Sequence, residues 1–333
     1  MSLESRIQRA WSRRGLLSAM LLPLSVLYCA VSRRRRRAFL KSPPAALPLP
    51  VIVVGNVTVG GTGKTPMTIR LCEWLREQGW RPGVVSRGYG GNASDRPRRV
   101  TDRSTAAEVG DEPLLIALRT QAPVCVCADR VAAVHALLAE GSCDIIVADD
   151  GLQHYRLPRD LEIAMLDGRR RLGNGYCLPA GPLREPAGRL REVDFVVVTA
   201  GEPAAGEYAM ALRLDEAWAL RDPSQRKALR EFVGAKVHAV AGIGNPDRFF
   251  DALERAGLRI IRHPFPDHHR YRPDDLVFGD ARPVLMTEKD AVKCREFASP
   301  ECWAVPASAK LPSALTAALA ERLRKLRNGQ ETA

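Results

Sequence analysis

The chain has 333 residues, 46% of them hydrophobic, and carries a net charge of +12. This length allows a large buried core and favours two domains. Residues 1–41 hold ten Lys and Arg residues against a single Glu, so only +3 of the charge belongs to the rest of the chain. The basic charge is therefore a local feature of the N-terminus, and we expect no nucleic-acid partner.

An uncharged apolar run of 18 residues, GLLSAMLLPLSVLYCAVS, lies between Arg14 and Arg33. It is at the short end of the lengths that span a bilayer as a helix, and Pro23 would bend that helix. A signal peptide has a similar pattern, but the five arginines that follow make a poor cleavage site and suit an anionic cytoplasmic leaflet. A buried N-terminal helix is the second alternative. We predict that residues 1–41 form a membrane-associated basic and apolar helix, with the body of the chain on the cytoplasmic side.

A phosphate-binding loop is predicted at residues 57–67, VTVGGTGKTPM. The run PVIVVGN before it is typical of a buried parallel strand, and PMTIRLCEWLREQG after it has helical periodicity. In this setting Lys64 can reach the β- and γ-phosphates and Thr65 can coordinate Mg²⁺. The loop is a variant, because Thr58 stands where the strict pattern has its first glycine, and a simple glycine-rich turn is the alternative. We predict nucleotide binding by Thr58, Val59, Gly60, Gly61, Thr62, Gly63, Lys64 and Thr65.

Strands and helices alternate through the following 130 or so residues. Strand-like apolar runs at RPGVVS, APVCVC, DIIVADD, LEIAMLD and DFVVVT alternate with the helical segments GDEPLLIALRTQ and RVAAVHALLAEG. This pattern predicts an α/β fold with a mostly parallel sheet covered by helices on both faces. The composition changes at 201–235, and a second strand, glycine turn and helix begin at VHAVAGIGNPDRFF. We predict a P-loop core at 42–205 and a smaller α/β domain at 206–333.

The eight cysteines show no metal-ligand spacing. Cys125 and Cys127 lie in an apolar strand-like run, and Cys143 and Cys177 lie in or beside apolar runs. Buried, reduced thiols explain them more simply than disulfides or zinc.

The apolar strand DIIVADD ends on Asp149 and Asp150. A carboxylate at the C-terminal end of such a strand is what a Walker B position requires, and it can hold Mg²⁺ directly or through water. The alternative is an Asp that begins a turn. Arg184 and Glu185 lie between prolines in GPLREP, where Arg184 could neutralise phosphate charge or be solvated.

Two further segments carry candidate acids and bases. GDEP places Asp111 before a predicted helix, and the residues alone favour an N-terminal cap there. FPDHHRY places Asp267 beside His268 and His269 in a proline-flanked loop. Adjacent histidines cannot easily share one metal, so we expect no zinc; an acid–base role and solvated surface histidines both stay open.

Taken together, these segments resemble the tetraacyldisaccharide 4'-kinase family, the lipid A 4'-kinases of Gram-negative bacteria. Residues 201–235 contribute nothing to the resemblance. The segments that carry it, in family order, are GNVTVGGTGKTP (55–66), SRGYGG (86–91), GDEP (110–113), DDGLQH (149–154), GPLRE (181–185), AGIGNPDRFF (241–250), FPDHH (265–269) and TEKDAVK (287–293).

The resemblance implies a kinase that moves the γ-phosphate of ATP to the 4'-hydroxyl of a tetraacylated disaccharide 1-phosphate. This acceptor is a membrane lipid, so the resemblance places the enzyme at the anionic cytoplasmic face of the inner membrane, with no obligate protein partner. It also implies that the second domain closes over the site and excludes water. The resemblance implies that Lys64, the loop and Arg184 bind the phosphates, and that Thr65, Asp149, Asp150 and Glu185 bind Mg²⁺. It also implies that Asp111 takes the proton from the hydroxyl, with His268 tuning or relaying that transfer. This role replaces the cap interpretation of Asp111.

Two other classes of function stay open at this stage. The first is a membrane-associated P-loop NTPase that couples ATP hydrolysis to protein insertion or regulation; its variant loop usually has a lysine where this chain has Val59. The second is a non-catalytic membrane-associated binding protein, which would leave the acidic and histidine motifs unexplained.

Overall fold

The computed structural model describes residues 10–92 and 95–331, with the side chains of the last helix described as far as residue 327. Arg6 and Arg9, which belong to the predicted basic segment, lie outside the described residues. The first part of the chain begins with a long helix and then forms a sheet with its flanking helices. These elements are α1 (Leu16–Lys41), β1 (Val51–Asn56), α2 (Lys64–Glu77), β2 (Pro82–Ser86), β3 (Arg98–Val100), α3 (Ala106–Val109), α4 (Asp111–Thr120), β4 (Val124–Val126), α5 (Arg130–Ala139), β5 (Ile145–Asp149), β6 (Leu161–Asp167), β7 (Phe195–Thr199) and β8 (Glu207–Ala209).

The second part forms another sheet and ends in a long helix. Short 3₁₀ turns lie at Ala187–Arg191, Leu229–Phe232 and Pro273–Leu276. The remaining elements are β9 (Ala211–Arg213), β10 (Glu216–Ala219), β11 (Arg226–Ala228), β12 (Lys236–Ala241), α6 (Pro246–Arg255), β13 (Arg259–Pro264), β14 (Val284–Thr287), α7 (Glu288–Cys294), β15 (Cys302–Val305), β16 (Ser308–Lys310) and α8 (Ser313–Glu331).

The first sheet has eight strands in the order β3-β4-β2-β5-β1-β6-β7-β8, and every pair except β3 with β4 is parallel. The central strand β1 is buried on both faces, because Ile52 and Val54 pack with α2, α4 and α8 while Val51 and Val53 pack on the opposite side with α5. The second sheet has the order β11-β10-β15-β14-β12-β13, with parallel pairing from β15 to β13. The predicted fold class is confirmed.

The two ends of the predicted second domain pack with the first sheet. Strand β8 pairs in parallel with β7, although it lies beyond residue 205. Leu315, Leu319 and Leu323, spaced four residues apart on one face of α8, join the core around Ile52. The division at 205/206 stays a prediction about folding units; in the structure, residues 207–209 and 313–331 belong with the first sheet.

Helix α1 presents its apolar side chains outward and its serines inward. Among the described residues it is the one helix long and apolar enough to cross a membrane, with 11% of its most apolar stretch buried. Ser18 and Ser25 are its buried residues, and Ser25 Oγ donates to Cys177 O at 2.8 Å. The alternative of a buried N-terminal helix is therefore wrong. The exposed apolar side chains are Leu16, Leu17, Met20, Leu24, Val26, Leu27, Val31 and Leu40.

The cysteine prediction is confirmed for six residues and wrong for two. Cys72, Cys125, Cys127, Cys143, Cys294 and Cys302 are buried free thiols. Cys29 of α1 and Cys177 form a disulfide with a Cα–Cα distance of 6.3 Å. The sequence gives no sign of this pair, because 148 residues separate the two positions and only the packing of α1 against the loop around Cys177 brings them together.

Candidate active site

The phosphate-binding loop connects β1 to the N-terminus of α2. The backbone is left-handed at Gly60 (φ 101°) and at Gly63 (φ 86°), where glycine has no steric penalty. Thr58 has no such conformation; it is buried and forms an antiparallel bridge with Leu183, while Val59 N donates to Pro182 O at 2.8 Å. The first glycine of the strict P-loop pattern is thus not required at position 58, because the backbone there is extended and hydrogen-bonded to a neighbouring loop.

Lys64, the first residue of α2, points toward the strand-end carboxylates. Its Nζ lies 3.4 Å from Asn56 Oδ1 and 3.8 Å from Asp150 Oδ1. Asn56 also donates from Nδ2 to Gly60 O at 3.3 Å, so the last residue of β1 holds both the loop and the lysine. Sequence reasoning missed Asn56, although it directly precedes the loop in the GNVTVGGTGKTP segment.

The two aspartates at the end of β5 differ in environment. Asp149 is buried and accepts from Thr68 Oγ1 at 3.1 Å; burial, with the nearby charges of Glu112 and Asp150, raises its pKa to about 7. Burial also opposes ionisation of Asp150, but Lys64 and Arg184 outweigh it and hold the pKa of Asp150 below its usual value. Asp150 is therefore the member of the pair that ionises more readily.

Arg184 and Glu185 face different surroundings although they are adjacent. Arg184 Nη1 lies 2.9 Å from both carboxylate oxygens of Asp150. Glu185 is buried, accepts from Gln153 Nε2 at 2.8 Å and from Tyr155 Oη, and is not among the residues that line the large cleft. The structure thus brings Arg184 to the aspartate pair but places Glu185 behind it, with its oxygens occupied by protein donors.

The residues beside the phosphate-binding loop suit a magnesium ion that is also coordinated by the phosphates of a bound nucleotide. Within residues 10–92 and 95–331, no group of three or more His, Cys, Asp or Glu side chains is placed to hold a metal. Thr65, Asp149 and Asp150 do line one cavity, next to the loop that would hold phosphates. Mg²⁺ commonly takes few protein ligands and completes its shell with phosphate oxygens and water, so these residues suit it.

Asp111 and His268 form a hydrogen-bonded pair between the two parts of the molecule. His268 Nδ1 lies 3.0 Å from Asp111 Oδ2, and Asp111 is 4% exposed. Asp111 is not the helix cap: Gly110 holds that position without a side-chain cap bond, so the cap interpretation is wrong. The hydrogen bond with Asp111 raises the pKa of His268 despite its burial. Burial opposes ionisation of Asp111, but His268 and two lysines outweigh it and lower its pKa.

Lys289 connects this pair to further carboxylates, and sequence reasoning did not assign it a role. Its Nζ lies 3.0 Å from Glu112 Oε1, 3.2 Å from Asp267 Oδ1, 3.5 Å from His268 Nε2 and 3.9 Å from Asp111 Oδ2. Burial disfavours its charge, but the surrounding carboxylates raise its pKa. The one sequence signal for Lys289 was its position in TEKDAVK, a motif that contributed to the resemblance but to which no function was assigned.

These groups line a single cavity of about 1750 Å³ between the two sheets. The phosphate-binding loop, Asp149 and Asp150 lie on one side, and His268 and Lys289 face them from the second part of the chain. Tyr28 and Arg35 of α1 also line it, so the cavity extends to the apolar helix. The volume exceeds that of an ordinary small-molecule site, which is consistent with two ligands held together.

The comparisons with known proteins agree with this geometry. A family model described as LpxK, tetraacyldisaccharide-1-P 4'-kinase, matches residues 17–324. The chain belongs to this family. It is 50% identical over 316 residues to the tetraacyldisaccharide 4'-kinase of Nitrosococcus oceani, covering 94% of this chain and 93% of the relative. It is 53% identical over 315 residues to that of Stenotrophomonas maltophilia, covering 91% and 92%.

A solved LpxK structure has the same fold. The LpxK of Aquifex aeolicus, described as an "apo" form in complex with ATP, superposes with a TM-score of 0.79 at 28% identity and covers 92% of this chain and 99% of its own. The resemblance drawn from the ordered motifs is therefore confirmed, as is the prediction of a kinase that uses ATP. The description of the family, tetraacyldisaccharide-1-P 4'-kinase, names the same acceptor that the resemblance implied.

Proposed function

We propose that this LpxK family member transfers the γ-phosphate of ATP to the 4'-hydroxyl of a tetraacylated disaccharide 1-phosphate, the reaction of lipid A biosynthesis, at the cytoplasmic face of the inner membrane. The observation that carries the proposal is the single cavity in which a phosphate-binding loop and an aspartate pair face His268, which is hydrogen-bonded to the buried Asp111, beside an apolar helix. Each component has a separate role.

The loop side binds and orients the nucleotide. The N–H groups of residues 58–65 and the N-terminus of α2 would surround the β- and γ-phosphates, with the ammonium of Lys64 and the guanidinium of Arg184 opposing their charge. Thr65, Asp149 and Asp150 would hold Mg²⁺, which when bound neutralises charge on the phosphate oxygens. Glu185 as a metal ligand stays a prediction, because in this structure its carboxylate supports Gln153 and Tyr155 instead.

The opposite side accepts the proton of the 4'-hydroxyl. His268 lines the cavity, while Asp111 lies behind it and is nearly inaccessible to solvent. We assign the proton to the Asp111–His268 pair, with Asp111 as the base and His268 as the relay: Nε2 takes the hydroxyl proton as Nδ1 gives one to the carboxylate. The charge of Lys289 keeps Asp111 ionised and ready to accept that proton.

The membrane side holds the acceptor. The exposed leucines of α1 would enter the acyl region, and the exposed Arg33, Arg34 and Arg37 would contact anionic headgroups. Because Tyr28 and Arg35 line the cavity, an acceptor whose acyl chains stay in the bilayer could present its sugar to the phosphate-binding loop. This arrangement explains why a phosphate-binding loop lies so close to an apolar helix.

A transfer assay with ATP radiolabelled at the γ-phosphate, with and without the lipid disaccharide 1-phosphate, tests the proposal. We expect labelled lipid, and a loss on the order of 100-fold or more for Lys64→Ala. A regulatory NTPase would release labelled phosphate without labelling lipid, and a binding protein would do neither. Either result would contradict the kinase assignment.

A further inference from the structure

Three adjacent parallel strands of the first sheet end beside the phosphate-binding loop. β1, β6 and β7 are neighbours in the sheet, and their last residues are Asn56, Asp167 and Thr199. Asp167 and Thr199 are paired in register, and the carboxyl ends of parallel strands lie at one edge of a sheet, so both residues lie at the edge from which the loop leaves β1. Both are buried, and the nucleotide site described above gives neither of them a role.

Three successive carbonyl groups of the phosphate-binding loop each accept a hydrogen bond from a side chain at this edge. The bonds run from Asn56 Nδ2 to Gly60 O at 3.3 Å, from Arg170 Nη2 to Gly61 O at 2.6 Å and from Thr199 Oγ1 to Thr62 O at 3.1 Å. In a trans peptide unit the C=O of one residue and the N–H of the next point in opposite directions. Each bond therefore turns the N–H of the following residue away from the side chain that holds the carbonyl.

The N–H groups that these bonds orient belong to Gly61, Thr62 and Gly63. Within residues 10–92 and 95–331, none of the three donates to a protein acceptor. All three residues line the cavity beside Lys64. Backbone N–H groups in such a loop bind the β- and γ-phosphates of a nucleotide. The side chains behind the loop therefore determine whether these donors face the cavity before a nucleotide arrives.

Arg170 is itself held in place by Asp167. The carboxylate accepts from the backbone N–H of Arg170 at 3.0 Å with Oδ1 and from its Nε at 3.3 Å with Oδ2. The guanidinium then lies directly on the loop, because a Cβ atom added to Gly60 would lie 3.0 Å from Arg170 Nη1. Arg170 is thus oriented by Asp167 and in turn fixes the carbonyl group of Gly61.

We propose that Arg170, oriented by Asp167, and Thr199 are positioning residues that hold the phosphate-binding loop in its nucleotide-binding form before a nucleotide binds. The proposal rests on the nucleotide binding of the proposed function and deepens it. Without these two bonds the peptide units between residues 61 and 63, which contain two glycines, would rotate more freely and turn their N–H groups out of the cavity. Nucleotide binding would then include the entropic cost of ordering the loop.

The test measures the equilibrium affinities of ATP, ADP and AMP for the full chain. Arg170→Ala should weaken the binding of ATP and ADP by about 10-fold or more, because a charged hydrogen bond to the loop is lost. It should leave the affinity for AMP nearly unchanged, because the loop holds the β- and γ-phosphates. Thr199→Val should give the same pattern with losses of about 3- to 10-fold, and Thr199→Ser, which keeps the hydroxyl group, should bind all three nucleotides like wild type.

Asp167→Asn separates positioning of the loop from direct contact with a phosphate. If Arg170 acts by holding the loop, loss of the Asp167 charge frees the guanidinium and weakens ATP binding. The double variant with Arg170→Ala should then bind ATP no more weakly than Arg170→Ala alone. If Arg170 itself binds the phosphates, removal of a nearby negative charge strengthens ATP binding instead. Tighter ATP binding by Asp167→Asn would therefore overturn the proposal.

Arg169→Gln is the matched control, because it removes the same charge from the adjacent exposed residue, and it should bind all three nucleotides like wild type. Equal losses for ATP, ADP and AMP in Arg170→Ala would indicate a general loss of structure and overturn the proposal, as would an unchanged affinity for ATP. A wild-type chain that binds ATP but transfers no phosphate to the lipid would refute the kinase assignment alone, because the affinities of the variants still decide the role of Arg170.

Discussion

Asp111 Oδ2 and His268 Nδ1 lie 3.0 Å apart although the two residues are separated by 157 positions. Asp111 begins a helix that packs on the first sheet, and His268 follows the edge strand of the second. The pair therefore exists only when the two parts of the molecule are in contact. A proton-accepting group assembled in this way is complete only around a closed site.

Asp111→Asn should lower turnover by about 100-fold or more and leave ATP affinity nearly unchanged. Asn keeps the size of the side chain but cannot take up the proton. The measurement is the transfer rate together with the dissociation constant for ATP. Asp274→Asn, an exposed position in the second domain, is the control. A near-normal rate in Asp111→Asn would remove the base assignment and return the role to Asp149 or Asp150.

His268→Ala should lose at least as much activity as Asp111→Asn, because Nε2 of the histidine takes the hydroxyl proton and Asp111 acts through it. In the double variant the two losses should be less than additive, as for groups that work as one unit. A double-mutant cycle on kcat measures this coupling. Fully additive losses would show that the two residues act independently, in spite of their hydrogen bond.

The same pair predicts how stability depends on pH. The pKa of His268 is raised above its usual 6.5, so its contribution is fully present below pH 6.5 and is lost as pH rises through the raised pKa. The pKa of Asp111 is lowered, so its contribution is present above its usual 3.8 and is lost as pH falls through the lowered pKa. The difference in thermal midpoint between wild type and His268→Gln should therefore be largest between about pH 4 and 6.5 and shrink at alkaline pH.

Thermal unfolding of both proteins from pH 5 to pH 9 checks this expectation. His135→Gln, which removes an exposed imidazole from α5, is the control. A difference that stays constant over this range would mean that the hydrogen bond between His268 and Asp111 does not change the histidine's protonation.

Lys289→Met should reduce turnover and move the acidic limb of the rate profile to higher pH. The ammonium of Lys289 lowers the pKa of Asp111, so its removal makes the base harder to ionise. Lys289→Arg should retain the position of the limb, and Lys236→Met, at an exposed lysine, should change neither quantity. A uniform loss of rate at every pH would show that Lys289 only holds the two domains together.

Replacing four exposed apolar residues of α1 by Gln should release the protein from membranes while the nucleotide site stays folded. The residues are Leu16, Met20, Leu24 and Leu27, which are between 56% and 87% exposed. Vesicle co-sedimentation at high salt measures the release, and ATP binding measures the fold. Val277→Gln, at an exposed apolar residue outside α1, is the control. Undiminished sedimentation of the fourfold variant would mean that another surface holds the bilayer.

The sequence by itself determined the elements around the phosphate-binding loop and most of the parallel strands of the first sheet. The apolar run before the phosphate-binding loop, the glycines within it and the helical spacing after it became β1, the loop and α2, because each depends on neighbours only a few residues away. The aspartates at the end of β5 could be predicted for the same reason. The ordered motifs were specific enough to identify the family from sequence.

Tertiary structure decided which of these groups meet. The contact of Asp111 with His268, the four contacts of Lys289 and the position of Glu185 behind the cleft all join segments that are distant in sequence or turned away by their loops. Local patterns cannot show whether a carboxylate faces a cavity or a neighbouring tyrosine. Tertiary packing also decided how α1 is oriented. Its serines face the protein and its leucines face outward, and this orientation brings Cys29 to Cys177.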